Sequence, residues 1–259
     1  MGKIILNWVM FVAVIAINAL ANILPINGLN TGQISDFYPN YFVPAGFTFA
    51  IWGILYLQLL IFTIAASYFL ITAQRHPEMN SWLRQLLPLY WLTCVFNMGW
   101  IVAWHYLQII LSVVIMIGLL ATLIKIFLVS TTYAPRITWS QRFCLYTPFV
   151  AYLAWICVAT IANITALGVA GNKEIGASYQ IGWSVVMMVV ALGLTLLITL
   201  RYQVISYGLV IAWAFWGIQA NQADVSPLLE WIPKMSIVII LSTMIASILY
   251  RKVKTVSSV

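Results

Sequence analysis

The sequence predicts an all-α polytopic membrane protein with about eight transmembrane helices. Three observations carry this. The chain of 259 residues is 64% apolar and only 7% charged, where soluble domains run at roughly 45–50% and about 25%. Its apolar residues form runs that match or exceed the ~20 residues a spanning helix needs. Its cations sit at the ends of those runs, on the side that membrane insertion favours. Charge this sparse cannot cover a water-facing surface, which excludes a cytosolic enzyme or a nucleic-acid binder. The net charge of +7, from 12 Lys/Arg against 5 Asp/Glu, is spread over span ends and forms no patch that nucleic acid would recognise.

The first span is 4–24. Lys3 precedes it and Ala19, Leu20 and Ala21 close it in the manner of a cleavage site, but Asn7, Asn18 and Asn22 interrupt the run and favour a retained helix over a leader. Pro25, Gly28, Gly32, Pro39 and Pro44 then make the first outer connection a structured loop or lid. The second span is 45–71, ended by the polar segment that contains Arg75, His76 and Pro77. Residues 84–129 are too long for one crossing and predict a tight hairpin of spans 84–104 and 107–129, broken near His105. The polar stretch from Ser130 leads to the fifth span, 142–167, which the segment starting at Gly168 ends. A second hairpin, 177–199 and 203–220, turns at Arg201, and the last span, 234–250, follows the polar segment from Asn221.

Charge tests this count independently. With both termini cytoplasmic, the inner segments hold Lys3, Arg75, Arg84, Lys125, Arg136, Arg142, Arg201, Arg251, Lys252 and Lys254, and the outer ones only Lys173 and Lys234. The acids Asp36, Glu174, Asp224 and Glu230 fall outside. This asymmetry is the one expected of an integral protein of a bacterial cytoplasmic membrane.

The spans contain no Asp or Glu, and Lys125 lies about one turn from a span end, where it can snorkel to the interface. Neither paired carboxylates, a Ser/His/Asp set nor a phosphate loop is visible, so no catalytic residue is assigned. His76 and His105 stand in separate polar breaks, and no metal site is expected. Cys94, Cys144 and Cys157 lie in apolar stretches and read as small buried hydrophobes. In place of charge the interior offers aromatics and amides. Trp52, Trp91, Trp155, Trp183 and Trp213 are deep, while Trp8, Trp82, Trp139 and Trp231 read as interfacial anchors. Asn97 and Trp100 are three apart and Trp155 and Asn163 eight apart, each pair on one helix face. An indole beside an amide suits a large, planar, mostly apolar ligand with a few polar edges. The competing reading makes both asparagines helix–helix hydrogen bonds.

At these residues the sequence resembles the TspO/MBR family, the tryptophan-rich sensory proteins related to the mitochondrial translocator protein. FVPAGFTFAIWGILY, Phe42 to Tyr56, resembles the motif that opens that family's second helix. FNMGW, Phe96 to Trp100, resembles its third-helix Asn-x-x-Trp, and YLAWICVATIAN, Tyr152 to Asn163, its fifth-helix pattern. Ala45 replaces the second proline of the family's pair, and Phe47 stands where Trp is usual. The resemblance covers residues 1–167, a five-helix membrane core, and leaves 168–259 as a three-helix C-terminal extension with a short basic tail: a longer, divergent member.

The resemblance implies a membrane-embedded sensor that binds a tetrapyrrole- or sterol-like molecule, with no required cofactor and as a homodimer. It implies Trp52, Tyr56, Asn97, Trp100, Trp155 and Asn163 as ligand-binding residues, with Pro44, Gly46 and Phe47 shaping a lid. A transporter of neutral lipophilic molecules such as porphyrins is the alternative, and a porphyrin-degrading membrane enzyme a third reading. On dimerisation the sequence itself shows only small-residue faces, at Ala191 and Gly193 and at Gly208 and Ala212, which serve intrachain packing equally well.

Overall fold

A computed structural model describes residues 1–24, 26–171 and 176–256, with side chains described to residue 249. Pro25, Lys173 and Glu174, and the side chains of Arg251, Lys252 and Lys254, lie outside the described residues. No strand occurs among the described residues, and ten α-helices account for almost the whole described chain: α1 (Gly2–Ile23), α2 (Thr31–Ser35), α3 (Ile51–Ile71), α4 (Pro77–His105), α5 (Ile109–Tyr133), α6 (Trp139–Leu145), α7 (Thr147–Gly171), α8 (Ala177–Tyr202), α9 (Ile205–Gln222) and α10 (Pro227–Val256). The polytopic all-α class expected from composition is therefore the observed one.

Both long apolar runs are split where the sequence places a hairpin, and by the same device. Leu107, between α4 and α5, has φ 57°, and Gln203, between α8 and α9, has φ 52°. A left-handed residue ends a helix abruptly, at a steric cost that glycine avoids. α4 begins earlier than expected, because Pro77 fits the first turn, where its missing N–H breaks no hydrogen bond, and Glu78 complements the helix dipole. The fifth expected span is two helices: α6 starts from a Thr138 capping box with Gln141, and the chain bends at Tyr146 before α7.

Seven helices among the described residues are long and apolar enough to cross a membrane. The seventh expected span, 203–220, is α9, which falls short of that measure because it ends in Gln219, Asn221 and Gln222. It is nevertheless tied to other elements near both ends. At one end the Arg142 guanidinium of α6 donates to Tyr202 O, just before α9, at 3.4 Å. At the other Asn221 Nδ2 donates to Val43 O in the first loop at 3.1 Å. α4 packs on α1 and α5, α5 on α7, and α3 on α1 and α7; α9 joins this group to α8 and α10 by packing on all three of its neighbours.

Two expectations resolve in the packing. Trp82 is fully buried and stacked on Tyr133 at 5.5 Å, so it is a packing residue between α4 and α5 and not an interfacial anchor; Trp139, 78% exposed, keeps the anchor geometry. The Gly208 face is used inside the chain, where a Cβ would stand 2.9 Å from Met244 Sδ of α10, whereas Gly193 faces open space.

Leu107 is exposed, so replacing it tests backbone strain with little loss of packing. Leu107→Gly is expected to leave the detergent-solubilised protein as stable as wild type or up to about 1 kcal/mol more stable, because the left-handed penalty of about 1–2 kcal/mol disappears. Val102→Gly, in the helical part of α4, should instead cost about 1 kcal/mol. Thermal melts of the two variants check both.

Candidate functional site

Three helices and the first loop converge on one aromatic centre. The 3₁₀ turn Gly46–Ala50 leads into α3 and places Phe49, Trp52 and Tyr56 on one face. α4 contributes Trp100 and Trp104, four apart, and α7 presents Tyr152, Trp155, Ala159, Ala162 and Asn163 along one stripe. Trp52 is the hub. It stacks on Tyr56 at 5.5 Å and meets Tyr152 at 6.0 Å and Trp155 at 6.1 Å edge-on. Trp155 also takes the edge of Phe49 at 6.2 Å, and Trp100 stacks on Trp104 at 5.9 Å. These offset and edge-to-face geometries are the favourable ones for aromatic pairs.

Two hollows flank this centre. A narrow cavity of about 50 Å³ is lined by Trp52, Trp100, Trp104, Trp155 and Asn163, with the alanines of α7 providing the space. A wider cleft of about 700 Å³ opens between α1, the first loop and α3, and reaches Asn18, Asn22 and Tyr56. Thr31, Ser35, Val43, Pro44, Phe49 and Trp52 line both, so the loop and the start of α3 form a single wall between them. Among the described residues no charged side chain lines the narrow cavity; Asp36 stands exposed at the cleft.

The structure brings together Trp52, Trp100, Trp155 and Asn163 around the narrow cavity, and places Tyr56 and Gly46 on the cleft and Pro44 on both. Asn97 lines neither hollow. It is buried as the centre of a relay: Asn18 Nδ2 donates to its Oδ1 at 2.8 Å, and its Nδ2 donates to Tyr152 Oη at 3.0 Å. It thus joins α1, α4 and α7 as the helix–helix reading requires. Asn163 does both jobs. Its Oδ1 accepts from Ser112 Oγ of α5 at 3.0 Å, yet it stays on the cavity wall. Phe47 lies away from both hollows, its ring 5.6 Å from Trp213 and 5.0 Å from Trp216 of α9.

The loop is fastened at both ends. The fully buried His105 pairs with Ile26 O through Nδ1 and with Thr31 Oγ1 through Nε2, both at 3.1 Å. A carbonyl only accepts, so in the neutral ring Nδ1 carries the hydrogen and Nε2 accepts from the Thr31 hydroxyl. Asn27 Nδ2 donates to His105 O at 3.1 Å and Trp104 Nε1 to Thr31 O at 3.3 Å. Between them α2 is opened by an Asn30–Gln33 capping box. Tyr38 packs at 5.7 Å on Trp104, and burial raises its phenol above the ordinary value, so it remains neutral. At the far end Ala45 N donates to Gly217 O and Trp213 Nε1 to Thr48 O, both at 2.9 Å.

Sequence reasoning missed Phe49, Trp104, Asn18 and His105. Trp104 was accessible to it, one turn beyond Trp100. Asn18 and His105 carry no local signal, since their roles depend on partners 79 residues away in each case. Among the described residues no three His, Cys, Asp or Glu side chains come together as a metal site.

The asparagine relay sets a prediction. In a cycle of Asn18→Leu, Asn97→Leu and the double variant, the pair is expected to show a coupling of about 0.6–1.7 kcal/mol, the range for interhelical hydrogen bonds in membranes. Unfolding of the purified protein by a denaturing detergent measures it.

Neither the curated proteins nor the solved structures include one with significant similarity to this chain. The family model of the TSPO-like proteins, in contrast, matches residues 4–249 and so takes in all the membrane helices, α8 to α10 included. With the aromatic centre set between the loop, α3, α4 and α7, that match makes the chain an integral membrane protein of the TSPO-like family.

Proposed function

We propose that the protein is a membrane-embedded binding or sensor protein for a planar hydrophobic ligand of tetrapyrrole or sterol type. The observation that carries this reading is the uncharged wall of four indoles, Trp52, Trp100, Trp104 and Trp155, with Asn163 among its few polar points, set beside a cleft of about 700 Å³. Ligand pockets of about 300–1,000 Å³ with apolar, aromatic walls and few polar groups are the usual small-molecule sites. The narrow cavity, at about 50 Å³, is too small for such a molecule; the ligand enters the cleft and gains the indoles when the shared wall shifts. Trp52 and Tyr56 then supply stacking surface, Asn163 a hydrogen bond to a polar edge, and Asn97 holds the three helices in register behind them. Pro44 and Gly46 shape the wall, and Phe47 pins it to α9.

The reading extends to topology: both termini face the cytoplasm of a bacterial cell, residues 1–167 form the ligand-binding core and 168–259 an added unit, and two copies pair. The basic inner segments support the orientation. Transport of neutral lipophilic molecules is the second reading. Two hollows separated by a single wall favour it, since shifting that wall would pass a molecule from one to the other.

Titration of the purified protein with protoporphyrin, followed by tryptophan quenching and an independent binding assay, tests the site. Saturable binding is expected, weakened roughly 5-fold in Asn163→Leu, the loss of about 1 kcal/mol for one hydrogen bond. Trp155→Phe should weaken it as well, and Trp139→Phe, remote and exposed, should not. Binding that is unsaturable, or equal in all four proteins, removes this ligand and this site.

A further inference from the structure

The residues that fix the 43–49 part of the wall come from α9. Along one face of that helix stand Trp213, Gly217 and Asn221, and Gln222 ends the helix. Asn221 Nδ2 donates to Val43 O at 3.1 Å, and Gln222 Nε2 donates to Val43 O at 3.2 Å and Asn40 O at 3.4 Å. Ala45 N donates back to Gly217 O at 2.9 Å, and Trp213 Nε1 caps Thr48 O at 2.9 Å. Gly217 is the close approach on which the rest hangs. A Cβ there would collide with the Thr48 hydroxyl and stand 2.9 Å from both Thr48 Cβ and Cγ2. Thr48 is fully buried in that notch. Within the segment itself only short-range bonds are present, such as Thr48 N to Ala45 O and Phe42 N to Asn40 Oδ1. These shape the turn but do not place it against the bundle.

We propose that α9 acts on the site as a clamp, with Gly217 and Trp213 as positioning residues that hold residues 43–49 in place as the wall and so set the rate at which ligand enters and leaves the aromatic centre. Val43, Pro44 and Phe49 line both hollows, and the Val43, Ala45 and Thr48 backbone is what α9 binds. Undocking this segment from α9 merges the narrow cavity with the cleft; docking it separates them. The ligand arm of this inference rests on the proposed function, and the loop arm does not.

The test compares wild type with Gly217→Ala, which forces Thr48 out of the notch, and Trp213→Phe, which keeps the ring and removes one hydrogen bond. Hydrogen exchange of the protein in nanodiscs is expected to rise about ten-fold over residues 43–49 in both variants, the equivalent of about 1.4 kcal/mol of lost docking. Exchange in α4 and α5 should not change, which shows that the fold is kept. Protoporphyrin association and dissociation rates should then both rise while the melting temperature of the ligand-free protein moves little. Unchanged exchange over 43–49 in both folded variants overturns the clamp. Faster exchange without any porphyrin binding in wild type keeps the clamp and removes the ligand reading.

Discussion

The site depends on one close approach, the seating of the first loop against α9 at Gly217. Only a residue without a side chain lets the 3₁₀ turn ahead of α3 come near enough for Ala45 N to donate to Gly217 O, and for Thr48 O and Val43 O to accept from the Trp213 and Asn221 side chains. The turn fixes where α3 starts, and α3 fixes Trp52, to which Tyr56, Tyr152 and Trp155 are packed. His105 does the corresponding work at the other end of the loop. In a bilayer, where apolar side chains gain little by meeting one another, such close packing and hydrogen bonding carry the association of helices. The loop is therefore a built wall, and the lid expected from its prolines and glycines is fastened at both ends in this state.

Polar residues inside the bundle divide by what they hold. Asn18, Asn97 and Tyr152 spend their hydrogen bonds on one another across α1, α4 and α7. Asn163 meets Ser112 and still borders the cavity. Buried amides need partners whatever their function, so a deep asparagine alone does not mark a ligand site. Bordering a hollow distinguishes Asn163 from Asn97.

Much of the architecture was legible in the sequence because membrane insertion writes it in composition and charge. Run lengths gave the helices and the two hairpins that Leu107 and Gln203 make, and the cation pattern agreed with that count. Part of the aromatic centre was legible through the spacings of three on α4 and eight on α7, and Trp52 and Tyr56 through the resemblance. What was not legible depends on contacts distant in the chain. Nothing near Gly217 signals that Thr48, 169 positions earlier, fills the space of its side chain. The polar end of α9 lowers its hydropathy, and that same end holds the loop: Asn221 and Gln222 donate to Val43 O. Trp82 has the position of an interfacial anchor, and only the packing of Tyr133 on its ring shows otherwise.

The central claim, that the loop stands docked on α9, is tested most directly at Phe47 and Trp216, whose rings lie 5.0 Å apart and are both exposed. Cysteines placed at these two positions, in a variant lacking Cys94, Cys144 and Cys157, would be treated in native membranes with a short bifunctional thiol reagent. Docking predicts that most molecules become internally cross-linked. Two thiols that each react singly, with no cross-link above that of a pair on the opposite ends of the bundle, would contradict it.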